Sequence, residues 1–201
     1  RWERPCSMEL IYPDGRAGIQ VNCGIRIYGG INRRPDITPK HTLRLLFKKQ
    51  YGPGKLRFPL YPDSEVDSFD TLVLRGHHGN SWLNQNLSQR TRAQYLRDEW
   101  TRETQLAMGR PAAHGTFMHL YLNGLYWGVY NVVERPTASF SASYSGGEKE
   151  DYDALNSGEA VDGDQEAWNS MMAIVEGGLE SPEAYEELSA WCDIPNLIDY
   201  M

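Results

Sequence analysis

The sequence holds only three cysteines in 201 residues, and Cys6, Cys23 and Cys192 match no metal-ligand spacing. That excludes a cysteine-based zinc module and a small scaffold stapled by disulfides. Cys6 and Cys23 fall on neighbouring strand-like segments, where they are either two buried thiols or, in an oxidising compartment, a bonded pair; spacing leaves both open. No apolar stretch approaches the length of a bilayer span and mean hydropathy is -0.58, so no transmembrane helix is expected. The nucleophile elbow G-x-S-x-G, the P-loop and the dinucleotide motif G-x-G-x-x-G are all missing, which leaves hydrolase and P-loop readings without support. The five histidines, His41, His77, His78, His114 and His119, complete no metal motif, because adjacent His77 and His78 point to opposite faces of an extended chain and no acid joins them. No metal ligand is assigned. There are no internal repeats, and no charged and apolar leader opens the chain at Arg1-Trp2-Glu3-Arg4-Pro5.

What is present describes a folded domain. Six Trp, twelve Tyr and a hydrophobic fraction of 40% supply a core of ordinary size. Net charge is -7, which argues against a nucleic-acid partner for the whole molecule. The charge is unevenly spread. Between Arg33 and Arg57 eight basic residues face one acid, Asp36, for a local balance of +7. Between Glu148 and Glu187 thirteen acids face Lys149 alone, for -12. A basic strand region inside an acidic protein suits a small polyanion better than a polymer, although a solvated strand face would look the same.

Period-2 alternation from Gly18 to Tyr28 places Ile19, Val21, Cys23, Ile25 and Ile27 on one side and Gln20, Asn22, Arg26 and Tyr28 on the other, a half-buried strand. Thr42 to Phe47 resumes the pattern with Arg44 on the outer side and Lys40 just before the strand. The spacing of Ala93, Leu96, Trp100 and Ala107 predicts one amphipathic helix over 89–108. Two aromatic and β-branched runs joined by Asn123-Gly124 predict a hairpin over 116–134, since that dipeptide accepts positive φ at both positions of a type I′ turn. Residues 137–163 read as an acidic, polar linker, and 164–201 as the start of a helical lobe in which Pro182 and Pro195 stand in first turns. The fold class expected is α+β: an antiparallel β-rich lobe over 1–136 with an inserted helix, then helices. Both ends of the chain read as interior to a longer protein, the last residues Asp193 to Met201 opening a helix.

The charged residues on strands are the candidates for chemistry. Arg26, Lys40, Arg44 and Glu134 supply what phosphoryl transfer needs from a sheet: cations for phosphate oxygens and a carboxylate to fix one of them. Three stretches then carry a resemblance. Gly24-Ile25-Arg26-Ile27-Tyr28-Gly29-Gly30 with Pro39-Lys40-His41-Thr42-Leu43-Arg44-Leu45, the helix opening Tyr95-Leu96-Arg97-Asp98, and Leu120-Tyr121-Leu122-Asn123-Gly124 running on through Tyr130 to Val133-Glu134-Arg135-Pro136 are similar to segments of the CotH kinase-like family, known from bacterial spore coats.

The resemblance implies an atypical protein-kinase-like fold whose antiparallel sheet is the nucleotide lobe, with ATP and a magnesium or manganese ion as cofactors. It also implies a secreted or cell-surface protein that phosphorylates Ser or Thr of surface or coat proteins. By position, Lys40 and Arg44 are the implied phosphate contacts, Arg26 a neighbouring one, and Glu134 the partner carboxylate or an inter-lobe anchor. Many relatives carry a second lysine where this chain has His41. The family's metal-binding aspartates are expected beyond Met201, in the missing C-terminal lobe, so this stretch alone is expected to be inactive; Asp98, Asp151 and Asp153 read as solvated acids. A non-catalytic extracellular binding module on the same fold is the alternative.

Overall fold

The computed structural model describes residues 2–201. In chain order the elements are β1 (Arg4–Leu10), β2 (Ile19–Ile27), β3 (Leu43–Leu46), β4 (Leu56–Arg57), β5 (Ser68–Phe69), β6 (Thr71–Arg75), α1 (Leu87–Thr91), α2 (Arg97–Ala107), β7 (Gly115–Leu122) and β8 (Leu125–Glu134). After them come α3 (Ala138–Ser145), β9 (Ala154–Asn156), β10 (Glu159–Asp162), α4 (Glu166–Glu176), α5 (Pro182–Ser189) and α6 (Ile194–Tyr200). The class is α+β. Two compact units share the chain: Arg1–Glu103 with Ala113–Arg135, and Thr104–Ala112 with Pro136–Met201. Among the described residues, no helix is long and apolar enough to cross a membrane.

The first unit is built on a six-stranded sheet of order β1-β2-β3-β6-β8-β7, every neighbouring pair antiparallel. Alternation decides its two faces. Ile25, Leu45, Leu72 and Glu134 form one row across four strands, and Ile27, Leu43, Leu74 and Val132 another, so these point to the same side. That side is the core, closed by Leu56, Leu60, Tyr61 and Phe69 from the segment holding β4 and β5. The rows between them carry Arg26, Arg44, Val73 and Val133 on the reverse side. Asn123 and Gly124 adopt φ of 50° and 80°, closing the β7–β8 hairpin as a turn whose twist matches its strands.

Two segments depart from the sequence reading. The helix expected over 89–108 is broken into α1 and α2, and the apolar stripe assigned to its buried side faces outward, with Leu96 and Trp100 63% and 69% exposed. Its inner side is polar, because the sheet position beneath it is the fully buried Asn131, which demands polar partners. The stretch read as a linker is also structured. Thr137 precedes α3, and Ser157 and Gly158, at φ of 56° and 80°, turn β9 into β10. Ser, Asn and Gly there serve turns and helix ends. In the second unit, Ser181 and Asp193 cap α5 and α6 by accepting from Ala184 and Asn196, and Arg110 pairs with Asp199 at 2.5 Å.

Leu72 is 2% exposed at the centre of the core. Leu72→Ala should lower the unfolding free energy by about 2–5 kcal/mol, whereas Leu125→Ala, at an exposed hairpin position, should stay within about 0.5 kcal/mol of the parent. Urea titration followed by tryptophan fluorescence distinguishes them, and equal midpoints would contradict this assignment of the core.

Candidate functional site

Lys40 enters β3 through a buried connection. Thr38 is wholly buried and its hydroxyl accepts from the Lys40 backbone N–H, while Thr42 Oγ1 accepts from the Gly76 N–H at 3.0 Å. A Cβ on Gly76 would lie 2.8 Å from the Lys40 carbonyl oxygen, so only glycine lets these two backbones approach. The Lys40 side chain then folds inward. Its Nζ donates to the Tyr95 hydroxyl at 2.6 Å and to the Val129 carbonyl at 2.5 Å. It also lies 4.9 Å and 4.6 Å from the ring centres of Tyr95 and Tyr130. The Tyr95 hydroxyl donates to the same Val129 oxygen, at 2.6 Å. Burial lowers the lysine's pKa and pushes both tyrosines up to about 12. All of its contacts are neutral. No carboxylate among the described residues stands within ion-pair distance of the ammonium.

Arg26 and Arg44 are opposite each other in register on the reverse side of the sheet. Arg44 Nε donates to Thr71 Oγ1 at 2.8 Å, and its guanidinium lies 5.7 Å from the Tyr28 ring centre. Arg135 lies 5.4 Å from the same ring. Arg26 approaches Glu3 at 3.6 Å, and Glu3 also accepts from Lys48 at 2.7 Å and from the Tyr51 hydroxyl at 2.9 Å. Those donors hold the Glu3 carboxyl below its ordinary pKa against the opposing effect of burial, the largest single influence on it. Two guanidinium groups, of Arg44 and Arg135, thus flank one tyrosine, with Arg26 opposite Arg44 in register and held by Glu3. Arg135 was not singled out from the sequence, though alternation past Glu134 would place it on this side.

Glu134 sits elsewhere. It is 5% exposed and accepts from the His114 backbone N–H at 2.9 Å and meets the His114 ring at 3.1 Å. It lies on the core side of the sheet, opposite Leu72. Lys40 reaches β8 at Val129, five residues away, which along a strand is roughly 16 Å. The structure therefore brings Arg26 and Arg44 together and leaves Lys40 and Glu134 apart.

A polar layer under α2 went unread. Arg102 donates to Asn131 Oδ1 at 2.7 Å and to Glu99, and Asn131 Nδ2 donates to Glu99 at 2.8 Å, closing a triangle. Asp98, expected as a solvated acid, pairs with Arg75 and accepts from Asn80 at 3.0 Å. His77 is not in an extended segment as supposed but in the left-handed region, at φ 54° and ψ 44°. Its side chain is fully buried, 4.4 Å from the Tyr95 ring centre, and neither ring nitrogen has a hydrogen-bond partner. Among the described residues, no group of three or more His, Cys, Asp or Glu could hold a metal ion.

A family model described as CotH kinase protein matches residues 39–201, from the residue before Lys40 to the last of the chain. No curated protein and no solved structure matches.

Burial, and secondarily the positive charge of Arg75, lowers the pKa of His77 from 6.5 to about 4. The unfolded chain therefore takes up this proton more readily than the folded one. Stability from this residue is complete above pH 6.5 and is lost as pH falls toward 4. Between pH 7 and pH 5 the loss should be about 2 kcal/mol. His77→Asn, which keeps a residue tolerant of the left-handed region, should flatten the urea midpoint over that interval. An unchanged slope would assign the pH dependence to other groups.

Proposed function

The chain belongs to the CotH kinase protein family, and on that premise we propose that its sheet is the nucleotide-binding part of a protein kinase that transfers a phosphoryl group from ATP to Ser or Thr of surface or coat proteins. The observation that carries the reading is the ammonium of Lys40. A half-buried cation with only neutral oxygens and rings around it has been desolvated without a counter-ion, an arrangement that costs stability until an anion arrives. Tyr95 and the Val129 carbonyl fix its position, so a phosphate meets a preorganised donor.

Arg44, Arg26 and Arg135 provide fork-shaped donors on one face, suited to further phosphate oxygens. Glu134 is not assigned to phosphate: its hydrogen bonds to His114 tie the end of β8 to the residue before β7 within one unit, which is neither a pairing with Lys40 nor an inter-lobe contact. ATP supplies the phosphoryl group, and magnesium or manganese would neutralise charge developing on it. The described residues do not fit that ion, so the work assigned to this chain is to bind and orient phosphate.

Calorimetric titration with ATP, with and without manganese, tests the reading. Binding is expected in the parent and at least tenfold weaker in Lys40→Ala, a difference of about 1.4 kcal/mol or more, with circular dichroism showing that the variant remains folded. Arg44→Ala should weaken it further. Equal binding by parent and Lys40→Ala would remove Lys40 from the phosphate site. A folded parent that takes up no ATP would favour a non-catalytic binding module.

A further inference from the structure

The strand β1 is the edge of the sheet and pairs with β2 alone. In that pairing Cys6 stands directly opposite Cys23, and their sulfurs are 3.4 Å apart. Residues directly opposite in an antiparallel pair have Cα atoms about 4.5–5.5 Å apart, inside the range of about 4.4–6.8 Å that a disulfide spans. Bond formation therefore asks for rotation of two side chains and no movement of backbone. Both sulfurs are on the core side, where Cys23 is wholly buried and Cys6 packs at the margin, partly exposed. One sulfur is reachable from solvent and the other is in place behind it.

We infer that Cys6 and Cys23 are a redox-active pair, closed to a cross-strand disulfide by exchange with a low-molecular-weight disulfide such as oxidised glutathione. The Cys6 thiolate attacks the small disulfide, forming a mixed disulfide and expelling one small thiolate. Cys23 loses its proton and its sulfur attacks Cys6 Sγ, expelling the second. Two thiols are oxidised and one external disulfide is reduced to two thiols, with the protons accounted for. Access favours Cys6 as the entry point, and so does its pKa, which the hydrogen bond from Cys23 lowers. That same contact is the largest cause raising the pKa of Cys23, and it disappears once Cys6 is bound in the mixed disulfide. Oxidation fastens the edge strand and, just before it, holds Glu3 beside Arg26, Lys48 and Tyr51.

The test is treatment of the whole chain with oxidised glutathione, alkylation with N-ethylmaleimide, and mass spectrometry under non-reducing conditions. The expected product has lost two hydrogens, carries one alkyl group on Cys192, and yields a peptide joining the segments of Cys6 and Cys23. Cys23→Ser should stop at a stable glutathione adduct on Cys6. If Cys23→Ser does not fold, Cys6→Ser serves, and should show neither the joined peptide nor the rise in urea midpoint that oxidation gives the parent. Three alkylated cysteines after oxidation, or a linked peptide containing Cys192, would overturn the inference.

Discussion

The register of β8 is the constraint on which the rest of the first unit depends. In six consecutive residues this strand gives the Val129 carbonyl to Lys40, Tyr130 to the core, Asn131 to α2, Val132 and Val133 to opposite sides of the sheet, and Glu134 to His114. Side chains alternate with period two, so a slip of one residue would send Tyr130 to the polar side and Asn131 into the core. The Asn123-Gly124 turn together with a one-residue bulge after Tyr126 sets this register against β7, and the pairing of Leu72 with Glu134 sets it against β6. Tyr130 and Asn131 are both fully buried, one in an apolar layer and one in a polar layer. Few neighbouring residues make stronger opposite demands on their surroundings, and satisfying both fixes the strand.

The polar layer explains the otherwise unexpected orientation of α2. A buried amide left unpaired costs about 1–3 kcal/mol, and the Glu99–Arg102–Asn131 triangle removes that cost by turning the charged side of the helix inward. Leu96 and Trp100 are then left outside, although their spacing resembles that of a buried stripe. The hydrophobic contribution forgone at two positions is weighed against a buried amide and two buried charges, and the polar arrangement prevails. The same layer continues through Asp98, Arg75 and Asn80, with Arg75 the register partner of Asn131.

What could be read from the sequence follows this division. The core side of β2 and β3 was legible because burial on one face of a strand writes a period of two, and Ile19 to Ile27 or Leu43 to Phe47 need no partner to be recognised. The Asn123-Gly124 turn was legible because few dipeptides accept its dihedral angles. The inverted α2 was not, because it depends on Asn131, a residue far along the chain with no local signature. The β9–β10 hairpin was hidden by composition: Glu, Asp, Ser and Gly resemble a linker until the turn at Ser157 and Gly158 pairs two short strands. At the candidate site, residue types were readable and partnerships were not. Lys40 and Arg44 stand in a recognisable pattern, whereas Tyr95, Tyr130 and Arg135 join them only in three dimensions.

The two faces of the sheet also explain why a carboxylate and the cations of one chain need not be partners. Arg26 and Arg44 are like charges in register, an arrangement that is unfavourable by itself. Glu3 moderates it on one side and the Tyr28 ring on the other, the ring face offering negative charge density without the volume of a counter-ion. Lys40 is handled in the same way, between two tyrosine rings and two neutral oxygens. Glu134, on the opposite face, is occupied with His114. Holding Lys40 with rings and neutral oxygens leaves its charge uncancelled, whereas a carboxylate beside it would offset that charge, as Glu3 does for Arg26. Under the proposed reading, the stability lost in desolvating Lys40 would be recovered when an anion binds there.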